Sequence, residues 1–152
     1  MHYFFYSLTI IFLSWAVGEI VNNKTKNTSW YKNFKSLNFI QNSKVENVIG
    51  LKMFKWLLTK TILTKFNPKL RLKKKTSGGL IFMKQEMTNA EISHLIAFLL
   101  VNIIGLVIWV FVNSLFGITT ILLNILMNLY PSLLQQQNKR RINKILTSRN
   151  FR

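Results

Sequence analysis

The chain has 152 residues, 49% of them hydrophobic, with 21 Lys and Arg against 4 acidic residues and a formal net charge of +17. That length suits one domain, but so much apolar surface and so much charge coexist in one chain only if the two are separated in space. There is no cysteine, which excludes disulfides, thiolate metal sites and cysteine nucleophiles, and all four acidic residues are glutamates.

The apolar residues fall in three blocks. The first, Tyr3 to Val21, contains one charge, Glu19. At about 1.5 Å per residue it nearly crosses a hydrocarbon core about 30 Å thick. A signal peptide is the other reading, because Ala16-Val17-Gly18 resembles a small-x-small cleavage site. The basic n-region is missing, however, since only Met1 and His2 precede the apolar run, and residues 1–21 read better as an uncleaved transmembrane anchor.

Residues 22–94 form a basic segment. Its first part is rich in Asn and Lys with scattered aromatics, and Trp30 and Tyr31 suit either a lipid headgroup layer or a small soluble core. Residues 51–66 place Leu51, Phe54, Leu58, Ile62 and Phe66 on one helical stripe, with Lys52, Lys55, Lys60 and Lys65 beside or opposite it. This is the pattern of an interfacial amphipathic helix anchored by Trp56 on anionic lipid, or of a helix covering a protein core. Asn67-Pro68 stops it, because the residue before proline is pushed out of the α region. The basic run Lys69 to Lys75 follows, then Thr76-Ser77-Gly78-Gly79, which reads as a flexible linker. With no base-stacking context around the run, nucleic-acid binding is not supported, and a juxtamembrane charge patch is the simpler reading.

Leu95 to Val112 and Leu115 to Leu134 are almost free of charge, and Asn113-Ser114 offers a tight turn between them. Residues 95–134 therefore read as a transmembrane helical hairpin, in which Asn102, Asn113, Asn124 and Asn128 are polar sites in or near lipid. Pro131 is expected to bend the end of the last span, and residues 135–152 form a basic tail. Residues 22–94 hold fifteen of the basic residues and the tail six. By the positive-inside tendency both are cytoplasmic and the N-terminus is outside, giving a multi-pass cell-membrane protein. The fold class is an all-α membrane protein with an N-terminal span, an interfacial helix and a C-terminal hairpin.

The stretch MKQEMTNAEISHL, Met83 to Leu95, holds Glu86, Glu91 and His94 immediately before the hairpin. On a helix Glu91 and His94 share a face, with Glu86 on an adjoining one. The pair has three readings. It is structural capping or pairing; or a glutamate that holds an imidazole acting as general base toward an alcohol; or half of a metal site of the E-x-x-H type. The metal reading lacks a second motif and more carboxylates, so no metal and no cofactor is expected. At the far end of the hairpin stand Gln135, Asn138, Arg140 and Arg141. In antiparallel spans this stretch and the Glu91-His94 stretch emerge on one side of the membrane. The four residues suit donors to a carbonyl, phosphate or sugar hydroxyl, or a basic flank that stops transfer.

Glu86-x3-Ala90-Glu91-x2-His94, the apolar hairpin, and then Pro131-x3-Gln135-x2-Asn138-Lys139-x-Arg141-Ile142 together resemble the glycosyl-4,4'-diaponeurosporenoate acyltransferases, a family of small bacterial membrane proteins. That family shows E-x3-[AG]-E-x2-H and, later, P-x3-Q-R-Y-N-R-x-R-[LI]. The likeness covers about the last seventy residues. Gln136, Gln137 and Lys139 stand where the family has Arg, Tyr and Arg, and lysine does not reproduce a planar bidentate contact. The resemblance implies fatty-acyl transfer to a lipid-soluble glycoside or related alcohol, with membrane lipids, an acyl donor and that acceptor as partners. His94 would be the base, Glu91 its orienter, Glu86 an acceptor-binding or supporting carboxylate, and Gln135, Asn138, Arg140 and Arg141 substrate-binding. A non-enzymatic accessory protein that binds a partner or anionic lipid is the alternative.

Overall fold

The structure is a computed structural model, and it describes residues 2–29, 31, 37, 39–40, 43–60 and 76–150. Among these every regular element is helical. In chain order they are α1 (His2–Thr25), α2 (Ser43–Val48), α3 (Leu51–Lys60), α4 (Ser77–Phe111), α5 (Ser114–Asn124), a π-helical turn (Ile125–Leu129) and α6 (Tyr130–Asn150). Three helices are long and apolar enough to cross a membrane: His2–Thr25, Ser77–Phe111 and Ser114–Ser148. The expected three spans are therefore present, on helices that run well past the apolar blocks. Residues 61–66 of the expected amphipathic helix, Pro68, the Lys69 to Lys75 run and Trp30 lie outside the described residues.

The chain divides into two compact units, Met1–Ser36 with Asn89–Ser132, and Leu37–Thr88 with Leu133–Arg152. The first has the inverted polarity of a protein in lipid. The buried stripe of α1 is Ser7, Ile11, Ser14, Gly18 and Asn22, spaced by three or four residues, whereas Phe5, Leu13 and Ile20 are exposed. Helix α5 continues the pattern with Gly117, Thr120 and Asn124 inside and Leu115 and Leu122 outside. Between helices in lipid there is no hydrophobic gain from burying leucine, so small residues that allow close approach take the contact. Ser7 and Thr120 join α1 to α5 by a hydroxyl contact of 2.8 Å, and Tyr3 stacks on Phe116 at 5.2 Å. A β-carbon at Gly18 would collide with the Ser93 carbonyl, and one at Gly117 with the Trp109 backbone. Glycine at these two places sets the α1–α4 and α4–α5 separations. Tyr31 is 1% exposed and donates to Asn22 Oδ1 at 2.6 Å, so it packs inside this unit.

In the second unit Leu80, Met83, Met87 and Ile142 form an ordinary apolar core, with Ile145 and Leu146 against it. Gly50, at φ 73°, ends the α2 segment in the left-handed conformation that glycine adopts without penalty, and α3 begins at the next residue. Leu51 is buried while Met53, Trp56 and Leu57 are exposed, so α3 presents apolar surface outward.

Two local expectations are corrected. Residues 77–79 are helical and not a linker. Thr76 Oγ1 accepts from Gly79 N at 3.3 Å and its carbonyl accepts from Leu80 N at 3.1 Å, while Leu80 is 2% exposed. Capping and burial of Leu80 outweigh the cost of about 1 kcal/mol for each helical glycine. The hairpin turn is also displaced by one residue. Asn113 is the N-cap of α5, its side chain accepting from Phe116 N at 3.0 Å, so Ser114 already belongs to the helix.

Candidate functional site

In the first unit α1 and α4 enclose an open cleft of about 300 Å³, lined by Trp15, Glu19, Ala90, Ser93 and His94. Helical spacing explains the lining. Trp15 and Glu19 are one turn apart on the face of α1 beside its small-residue stripe, and Ala90, Ser93 and His94 recur at three and four on α4.

His94 Nδ1 lies 3.2 Å from Asn128 Oδ1, and the same oxygen accepts from Trp15 Nε1 at 2.8 Å. Asn128 Nδ2 donates to Asn124 Oδ1 at 2.8 Å, and Asn124 Nδ2 donates to the Phe98 carbonyl at 2.9 Å. The direction of this chain follows from chemistry. An indole N–H only donates, so the Asn128 oxygen faces it; an amide oxygen only accepts, so the proton between Asn128 and His94 sits on Nδ1. The lone pair of the neutral imidazole is then on Nε2. A ring held in one tautomer with Nε2 basic is the form a general base requires.

The backbone around Asn128 is part of the device. Pro131 lacks the N–H that would bond to Met127, and its ring crowds that carbonyl, so an α-helix cannot run through unchanged. The chain widens into the π turn, where Tyr130 N–H bonds to Ile125 O. Four residues overshoot an α-helical turn by about 40°. The wider turn absorbs that excess and keeps Asn124, Asn128 and Ser132, each 0% exposed, on one inward face.

Across the cleft Ser93 Oγ donates to Glu19 Oε2 at 2.9 Å, and Asn23 Nδ2 donates to Glu19 Oε1 at 2.9 Å. Glu91, one turn before His94, is 0% exposed. The partner of His94 Nδ1 is Asn128, which the sequence offered only as a generic polar site in lipid. Glu19 and Trp15 were not among the expected site residues. The available signal was Glu19 itself, the single charge in an otherwise apolar block, standing four residues after a tryptophan.

The other expected site residues belong to the second unit. Glu86 is exposed on α4. Arg140 pairs with Glu46, which is buried and also accepts from Gln137 Nε2 at 2.8 Å. Lys55 donates to Gln137 Oε1 at 3.3 Å; burial, followed by the charge of Arg141, holds its ammonium below the ordinary lysine value, with Glu46 opposing. Gln136 accepts from Phe39 N at 2.9 Å. Arg141 is exposed, and Gln135 and Asn138 are half-buried. Among the described residues no group of three or more His, Cys, Asp or Glu is arranged to hold a metal ion.

Residues 27–148, most of the chain, match the sequence model of glycosyl-4,4'-diaponeurosporenoate acyltransferase. The chain belongs to that family. The match reaches well upstream of the last seventy residues that carried the resemblance, and takes in α2, α3 and both limbs of the hairpin. Comparison with curated proteins and with solved structures returns no match. Within this glycosyl-diaponeurosporenoate acyltransferase relative, His94 and Asn128 fall inside the matched region, while Trp15 and Glu19 precede it.

Proposed function

We propose that this membrane protein transfers a fatty acyl group from an activated ester or thioester to a hydroxyl of a lipid-soluble glycoside. The observation that carries the reading is the Trp15–Asn128–His94 network beside the cleft, which leaves Nε2 of a cleft-lining histidine as the basic nitrogen. Family membership supplies the reaction class.

In this reading the acceptor hydroxyl surrenders its proton to His94 Nε2 as its oxygen bonds to the acyl carbonyl carbon. The carbonyl electron pair moves onto oxygen and returns to expel the donor's leaving group, which takes the proton from the imidazolium. Asn128 orients the ring, and Glu91, buried one turn before His94 on the same helix, is a supporting carboxylate. In the second unit Arg140 is committed to Glu46, so Arg141 and Asn138 are the better candidates for a headgroup or phosphate, with Gln135 and Glu86 in supporting roles. Orientation with the N-terminus outside and the tail cytoplasmic completes the proposal.

The test is lipid mass spectrometry of cells with the gene, without it, and with His94→Ala at equal amounts of inserted protein. Wild type is expected to produce an acylated glycoside that the deletion lacks. His94→Ala is expected to lower turnover by about 10² to 10⁴, the range for a general base. Near-normal product from correctly inserted His94→Ala rejects the base; an unchanged lipid profile in the deletion rejects the enzyme.

A further inference from the structure

The geometry points to Glu19, with Ser93 and the Trp15 ring, as the subsite that holds the sugar of the acceptor beside His94. This rests on the acyl-transfer reading, and two of the three residues, Trp15 and Glu19, precede the family match, which begins at residue 27.

Glu19 is an exposed carboxylate within the span His2–Thr25, in which the only other formal side-chain charge is Lys24 near the end. Ionisable groups in spans are costly and are retained where they face a partner or a polar pathway. Among the described residues neither a cation nor an arginine is its hydrogen-bond partner. Its two oxygens accept from neutral donors, Ser93 Oγ and Asn23 Nδ2, each at 2.9 Å. A carboxylate oxygen accepts about two hydrogen bonds, so each Glu19 oxygen keeps one acceptor site. Two acceptor sites on one rigid plane match two neighbouring hydroxyls, and bonds to an ionised acceptor are short and strong.

The remainder of the cleft fits the same ligand. Trp15 is held edge-on to His94, with ring centroids 5.9 Å apart and an interplanar angle of 87°. Its N–H is committed to Asn128, so what it offers the cleft is apolar surface, suited to the carbon side of a sugar ring. Ser93, which grips Glu19, and His94 line the same cleft as Glu19. A sugar bound by two hydroxyls at Glu19 therefore lies in the cavity that the base also borders. A site built to accept from hydroxyls also discriminates against acceptors that lack them.

The experiment uses the full-length protein in nanodiscs without acyl donor, and measures binding of dodecyl glucoside, dodecanol and dodecyltrimethylammonium by calorimetry. Wild type is expected to bind dodecyl glucoside at least tenfold more tightly than dodecanol. Glu19→Leu is expected to lose that preference. Glu19→Gln keeps the shape, with the Ser93 hydroxyl turned to accept from the new amide, but removes the charge and one acceptor; it is expected to weaken glucoside binding several-fold without altering dodecanol binding, and it serves if Glu19→Leu fails to insert. Equal glucoside affinity in wild type and Glu19→Gln overturns the subsite. Preference for the trimethylammonium probe overturns its assignment to a sugar. Because no acyl transfer is measured, these results are separable from the His94 turnover test: near-normal turnover by His94→Ala, with the glucoside preference of wild type intact, rejects the base and keeps the subsite.

Discussion

The indole of Trp15 and the imidazole of His94 meet edge to face, their centroids 5.9 Å apart, and both address one oxygen of Asn128. That shared oxygen couples α1, α4 and the π turn. A donor-only group on one helix thereby sets the tautomer of a titratable group on another.

Asn128→Leu removes the acceptor of Trp15 and the partner of His94 together. Turnover is expected to fall at least tenfold, within the total contributed by the base, because the ring loses its preferred tautomer and orientation. Thermal unfolding should show a loss of about 1–3 kcal/mol from the half-buried indole N–H left without an acceptor. The double variant with His94→Ala should be little worse in turnover than His94→Ala alone, since residues acting as one unit are not additive. Independent, multiplicative losses would show that Asn128 acts elsewhere.

Pro131 does not line the cleft, yet its missing N–H accounts for the π turn that aligns Asn128. Pro131→Ala restores a donor at this position and removes the reason for the wide turn. The expected result is a several-fold drop in turnover with helicity and insertion preserved, read by circular dichroism beside the transfer assay. Unchanged turnover would mean that the π turn persists without proline.

Glu46 gathers Arg140 and Gln137 in the second unit. Glu46→Ala leaves half-buried donors without their acceptor and is expected to destabilise the protein by about 1–3 kcal/mol. Glu46→Ala with Arg140→Ala should cost less than the sum of the single variants, because the pair is in contact. Additive losses in denaturant midpoints would show that the pair contributes nothing of its own.

Reporters fused at Asn42 and at the C-terminus are expected in the cytoplasm, and one inserted at Asn113 outside, as the distribution of lysine and arginine requires. The same side for Asn113 and the C-terminus would contradict the hairpin crossing.

The all-α class and the three spans are determined by sequence alone, for a plain reason. A run of about twenty apolar residues in lipid must satisfy its backbone internally, and a helix is the solution available to a single segment. The E-x3-A-E-x2-H stretch was equally legible, because helical spacing puts Glu91 and His94 on one face whatever surrounds them. The helix at Ser77–Gly79 was not, since glycine propensity argues against it and only burial of Leu80 with Met83 and Ile142 reverses the balance. Nor was the site. Trp15, Glu19 and Asn128 are separated from His94 by 34 to 79 positions, and each alone reads as an anchor, a stray charge or a polar spacer in a span. What joins them is the close approach of α1 to α4 at Gly18 and the register imposed by the π turn, and neither has a local signature. Local pattern decides which segments are helices in lipid. Which side chains face one another, and hence which nitrogen of His94 is basic, is decided by distances between helices that only the folded chain possesses.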